Sequence, residues 1–214
     1  MPRRVIPTLP LARPVAVVPA GSLATLRRNA RACRACPLWK PATQTVFGEG
    51  PATAAAMLLG EQPGNAEDLS GRPFVGPAGA LLDAALAEAG LARDALYLTN
   101  TVKHFKFEPR GKVRLHKRAT AAEQAACRPW LAGELARLQP RWIVCLGAMA
   151  AQAVFGAGFR ITRERGRWIE LDGDRRGLAT WHPAAVLRAR DEDRARMRSE
   201  LVADLAQLAA AMSG

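Results

Sequence analysis

A chain of 214 residues with a formal net charge of +12 is long enough to bury a full core in one domain, and nothing in its length calls for a second. The basic excess points to an anionic partner such as DNA or RNA while leaving the fold open. No apolar run approaches the roughly 20 residues that span a bilayer; this excludes a helical membrane protein and predicts a soluble, cytoplasmic monomer whose four cysteines are not held in stable disulfides.

The charge is unevenly distributed. Residues 1 to 40 carry eight Lys/Arg and no acid, residues 41 to 102 carry seven Asp/Glu against two Lys/Arg, and residues 103 to 118 carry seven Lys/Arg against one Glu. Five prolines in the first 20 residues (Pro2, Pro7, Pro10, Pro14 and Pro19) forbid a helix and leave "VAVV" too short for the core of a signal peptide. Residues 1–21 therefore read as a disordered basic leader without an export signal, and residues 22–214 as the folded domain.

Along that domain, "AAAMLLG" (54 to 60) reads as a strand running into a Gly/Pro loop, and "GPAGALLDAALAEAG" (76 to 90) as a helix closed by Gly90. "ALYLTN" (95 to 100) is a second strand, and Thr120 with Glu123 forms a capping box that opens a helix to about residue 138. "RWIVCLG" (141 to 147) is a strand followed by a helix over 148 to 155. "RWIEL" (167 to 171) and "GLATWHP" (177 to 183) read as the last strands, and an amphipathic helix over 191 to 211 closes the chain. Strands alternating with helices predict a parallel sheet covered on both faces, with the ligand crevice beyond the carboxyl ends of the strands. "GEQPGNAED", Asn100 with the basic segment after it, and the "HP" at 182 to 183 all fall at such ends.

Cys33-x-x-Cys36 has a chelating spacing, and Cys127 and Cys145 lie far along the chain. Four thiolates suit an iron-sulfur cluster or a structural zinc, and the 17 residues between the last two tilt the choice towards the cluster. Cys145, inside "IVCLG", also reads as a small buried hydrophobe. In a basic segment of unrelated origin, His116 would read as a phosphate contact.

Taken together, the ordered elements C-x-x-C, "GEQPGNAED", "GRPFVGPAG", "LTNTVKHFKFE", the basic segment ending in His116, Cys127, Cys145 and "HP" resemble the iron-sulfur family 4 uracil-DNA glycosylases over about residues 22 to 210. Within that superfamily the chain is similar to the UdgX type, which becomes covalently attached to uracil-containing DNA. Two features carry that finer resemblance: Gln62, where ordinary family 4 enzymes carry Ala, and "KVRLH" (112 to 116), close to the family's "KRRIH". Val113 replaces an Arg of the family pattern, Leu115 an Ile, and "HPAA" lacks the Ser that usually follows the Pro.

The resemblance implies a single-domain, three-layer α/β/α fold around a mainly parallel four-stranded sheet, and a 4Fe-4S cluster of structural role on Cys33, Cys36, Cys127 and Cys145. It implies uracil-containing DNA as partner, with single strands favoured because they avoid the unstacking cost of extruding a base, and free uracil as product. Gly60, Pro63 and Gly64 would shape the crevice, Phe74 would stack on the base, Asn100 would pair with its O4 and N3–H, and Glu67 would stand at C5 to exclude thymine. His182 would donate to O2 of the departing base, Glu61 would stabilise the cationic sugar or direct water, and His116 would capture C1′. Gln62 would position His116, Arg114 would fix the loop or a phosphate, and Lys103, Lys106, Arg110, Lys112 and Lys117 would meet the DNA backbone. Two competitors remain open at this level: a conventional multiple-turnover family 4 glycosylase, and a DNA-binding module that keeps the fold without the chemistry.

Overall fold

In chain order, the computed structural model, which describes residues 18–214, forms strands β1 (Ala56–Gly60), β2 (Tyr97–Asn100), β3 (Phe107–Arg110), β4 (Val113–His116), β5 (Trp142–Leu146), β6 (Ile169–Glu170) and β7 (Arg176–Thr180). Its helices are α1 (Leu23–Ala30), α2 (Asn65–Ser70), α3 (Pro77–Glu88), α4 (Ala121–Leu138), α5 (Ala148–Phe155), α6 (Ile161–Glu164), α7 (Pro183–Arg188) and α8 (Asp191–Ser213). Residues 1–17, most of the stretch read as a leader, lie outside the described residues. Among the described residues, no helix is long and apolar enough to cross a membrane.

The main sheet runs β2-β1-β5-β7-β6, and its first four strands are parallel. It has five strands, one more than expected, because Ile169–Glu170 pairs antiparallel with Arg176–Gly177 and adds a two-residue edge. Every residue of β1 and β5 is buried, as in strands covered on both faces. Successive side chains of a strand point to opposite faces, and they feed two separate core clusters. Met57, Leu59, Ile143, Cys145 and Ala179 pack with Leu131, Leu135 and Val154 of α4 and α5. Ala56, Leu58, Val144, Leu146 and Leu178 pack with Leu82 and Leu86 of α3 and with Leu201, Leu205 and Leu208 of α8.

Local chemistry sets the element ends near the site. The amide of Glu123 donates to Thr120 Oγ1 (3.3 Å) and the Thr120 amide donates to Glu123 Oε2 (2.6 Å), the capping box read from the sequence. The last parallel strand stops at Thr180, short of the expected 183. Pro183 has no N–H for a ladder, and His182 instead caps α7, its Nδ1 accepting from the Ala184 amide at 3.1 Å.

The basic segment, expected as a loop, is a hairpin. β3 and β4 pair antiparallel from Phe107↔His116 to Arg110↔Val113, leaving Gly111 and Lys112 as the turn. Gly111 takes φ +58° and Lys112 does not, the glycine-first pattern of a type II′ turn. The hairpin therefore places His116 at the foot of β4, beside the strand ends, and Lys112 at the tip.

Candidate active site

The parallel register aligns Gly60 with Asn100 and Leu146 with Thr180, so the residues that follow these strands emerge on one edge of the sheet. There they enclose a cavity of about 360 Å³ lined by Glu61, Gln62, Gly64, Glu67, Phe74, Asn100, His116 and His182. Eight residues expected at the site thus meet in one place. Gly60 does not itself line the cavity but stands against two residues that do: a Cβ there would collide with Asn100 Oδ1 and with the Phe74 ring, so only glycine leaves room for both side chains. Pro63 does not line the cavity. Phe74 itself takes φ +54°, a backbone conformation that costs a non-glycine residue about 1–2 kcal/mol, and its ring lies 6.3 Å from that of His182, buried in the cavity wall.

Two loops are held rigid around this space. The Glu67 carboxylate accepts from the amides of Gly64 (3.0 Å), Val75 (3.0 Å) and Gly76 (2.8 Å) and so ties the two ends of the loop that carries Phe74. Its oxygens are spent on the backbone, and any wall it offers to a base comes from the rest of the side chain. Arg114 is likewise turned onto protein. Its Nε donates to Asn65 Oδ1 (2.6 Å), its Nη1 to the fully buried Asp68 (2.7 Å), and its guanidinium lies over the Phe105 and Phe107 rings at 5.5 and 5.0 Å. Arg114 therefore latches the hairpin to α2.

The tautomers of the two histidines follow from their neighbours. Gln62 Nε2 lies 2.9 Å from the Lys117 carbonyl and 3.3 Å from the Lys106 carbonyl, so the amide nitrogen, and not its oxygen, must face them. The same nitrogen lies 2.9 Å from His116 Nε2, which is then the unprotonated ring nitrogen, with the proton on Nδ1. Gln62 Oε1 is buried with no partner. At His182 the Ala184 amide occupies Nδ1, so the proton of the neutral ring sits on Nε2 as a donor.

Electrostatics keep both rings neutral at pH 7. Burial, followed by the charges of Arg188 and His116, pushes His182 down to about 4, and partial burial with the Arg188 charge holds His116 below the usual imidazole value. Burial raises Glu61 above the usual carboxylate range, opposed by Arg118 and Arg188. Those two arginines, along with Met149 and Trp181, line the cavity and were not singled out from the sequence. The only sequence signal for them is proximity: Arg118 and Arg188 follow His116 and His182 by two and six positions.

The cations assigned to the DNA backbone divide. Arg110 and Lys112 are exposed beside and within the hairpin turn, Lys117 pairs with Glu108 at 2.6 Å on the surface, and Lys106 pairs with Glu123 at 2.8 Å. Lys103 cannot reach DNA and is corrected: it is 1% exposed, and its Nζ donates to Glu134 Oε2 (2.5 Å), Thr99 Oγ1 (2.7 Å) and the Asn100 carbonyl (2.7 Å). Glu134 also accepts from Tyr97 Oη and the Gly48 amide, so a satisfied buried network braces the backbone of Asn100. The Asn100 side-chain amide has no protein partner among the described residues and faces the cavity.

The cysteines divide three to one. Cys36 and Cys127 belong to one apolar cluster, and Cys33 and Cys36 each raise the thiol pKa of Cys127, which burial above all pushes up to about 12. His104 shares this neighbourhood: its Nε2 lies 2.9 Å from Thr45 Oγ1, which donates to the carbonyl that accepts the Cys33 amide. Cys145 packs in the core with Leu59 and Ala179, and its thiol is raised by burial alone. Among the described residues no three His, Cys, Asp or Glu side chains are grouped so as to hold a metal ion. The four-thiolate set expected for a cluster does not fit this arrangement, and Cys145 is corrected to a core residue.

The family model for the uracil DNA glycosylase superfamily matches residues 47–206, which contains every residue of the cavity. The chain belongs to the uracil DNA glycosylase superfamily. Within it, the chain is 38% identical over 162 residues to the type-4 uracil-DNA glycosylase of Thermotoga maritima, covering 75% of this chain and 81% of that one. It is 38% identical over 173 residues to the type-4 enzyme of Archaeoglobus fulgidus (78% and 83% covered) and 35% identical over 188 residues to that of Pyrobaculum aerophilum (81% and 86% covered).

Proposed function

We propose that the protein is a uracil-DNA glycosylase that excises uracil and becomes joined through His116 to C1′ of the resulting deoxyribose. The observation that carries this reading is the placement of a neutral imidazole, its unprotonated Nε2 facing the Gln62 amide, in the same cavity as Glu61, Asn100 and His182.

In this reading an extruded uracil enters over Gly60, stacks on Phe74 and pairs with the Asn100 amide. The C1′–N1 bond breaks with its electron pair leaving on the base, and the His182 Nε2–H donates to O2, where the negative charge gathers. Glu61 faces the cationic sugar. Released from the Gln62 amide, the His116 Nε2 lone pair forms the new bond to C1′, the ring sheds its Nδ1 proton, and the base gains one, so free uracil leaves without water being consumed. Once neutral, the imidazole bonded through Nε2 to C1′ could depart only as the imidazolide anion, a poor leaving group, and the protein stays bound to DNA after one turnover. Single-stranded DNA is the favoured substrate, in a role in DNA repair or uracil sensing.

A conventional multiple-turnover reading is favoured by the similarity to the type-4 enzymes and by the raised carboxyl of Glu61, a group suited to directing water. Incubation with a uracil-containing single-stranded oligonucleotide, followed by a denaturing gel, separates the two. The covalent reading expects a shifted band that His116→Ser abolishes; uracil release without any shifted band from wild type overturns it in favour of the conventional one.

An iron-sulfur cluster, were it bound, would have to draw Cys33, Cys36 and Cys127 closer than they stand; its role would be structural, pinning the segment after α1 to α4, and it would supply no step of the reaction.

A further inference from the structure

The catalytic cavity does not end at Arg118. A second cavity of about 340 Å³ adjoins it, and Arg118 lines both. Its other walls come from α4 and α5: Ala121, Gln124 and Arg128 on one side and Gln152 on the other, with Leu131 at the apolar floor. No step of the proposed reaction uses this space.

Among the described residues, neither cation of this cavity is paired with a carboxylate. Lys106, Arg114 and Lys117 are each neutralised by a carboxylate. Arg128 is half-buried and makes no ion pair or hydrogen bond among the described residues, and Arg118 has only a long contact, 3.5 Å, with Gln152 Oε1. Gln124 donates to the Ala119 carbonyl and leaves its oxygen unused. Two guanidinium groups with open donors, an amide oxygen and an apolar floor match a ligand that joins an anion to a flat, partly apolar ring with polar edges. Its volume, about 340 Å³, is close to that of the neighbouring cavity.

We propose that this second cavity is a subsite for the nucleotide adjacent to the uracil in a single strand, its phosphate on Arg118 and Arg128 and its base over Leu131. The proposal rests on the glycosylase reading of the first cavity. It adds a polarity to DNA recognition: one flank of the uracil enters a built pocket, and the other runs along the exposed hairpin.

Two series of short oligonucleotides test it, one with uracil at the 5′ end and nucleotides only on its 3′ side, the other the reverse, with uracil release measured at subsaturating DNA. Arg128→Glu and, separately, Ala121→Glu are expected to slow release at least tenfold for one series and to leave the other within twofold. For the affected series, Arg128→Gln is expected to lower the slope of log affinity against log salt by about one. Ala121 is exposed at the first position of α4, where an acid suits the helix, so an unchanged melting temperature keeps this arm interpretable. Equal slowing of both series, or slowing of neither, overturns the subsite alone. Failure of the wild type to release uracil from either series, or from a longer strand, overturns the glycosylase reading and the subsite with it.

Discussion

Gln62 Nε2 stands 2.9 Å from His116 Nε2, across 54 residues of sequence, and two backbone carbonyls prevent the amide from presenting its oxygen instead. The ring nitrogen that faces the amide therefore carries a lone pair. Replacing Gln62 with Leu removes the donor that holds that nitrogen unprotonated and opens the tautomer with Nε2 protonated. Gln62→Leu is expected to cut the yield of protein-DNA adduct at least tenfold while reducing uracil release by less, as read by scoring the shifted gel band and free uracil from the same reaction.

Adduct formation should weaken on the acid side through two groups, His116, held below 6.5, and Glu61, raised above 4.5. A depressed histidine keeps its neutral, nucleophilic form at pH values where a free imidazole is protonated, so its share of the acid limb lies below the pH at which a free imidazole titrates. Arg188→Ala removes a positive charge that lowers both groups, and the acid limb should move to higher pH. A pH profile of the adduct rate for the two proteins checks the sign.

Gly60→Ala is expected to reduce uracil release about 100-fold, because the added Cβ displaces Asn100 and Phe74 from where the base must sit. Binding of the same protein to uracil-free single strands should stay within twofold, measured by fluorescence anisotropy.

Lys103→Met leaves Glu134 charged and buried without its cation, a loss of about 3–5 kcal/mol in urea unfolding. The double variant with Glu134→Gln should recover a large part of it. The salt dependence of DNA binding should not change, since Lys103 lies inside the protein.

Iron and sulfide analysis separates the cysteines. Cys127→Ser is expected to lose bound iron and Cys145→Ser to retain it, because the latter thiol sits in the core against Leu59 and Ala179. Loss of iron in both would restore the four-thiolate set.

The sequence by itself determined what depends on near neighbours. The capping box at Thr120, the strand ends that carry Glu61, Asn100 and His182, and the helix after each strand follow from spacing and from backbone preferences within a few residues. It also placed Gln62 with His116, through motif resemblance. Only the tertiary structure decided what depends on partners far along the chain. Lys103 looked like one more cation of a basic run until Glu134, 31 residues away, took it inside, and Arg114 until Asp68 drew it down onto α2. Cys145 was ambiguous because β5 is buried on both faces, so alternation cannot tell a core thiol from a ligand. A charge or a thiol has no fixed role in sequence; its role is set by the group it meets, and that meeting is a property of the fold.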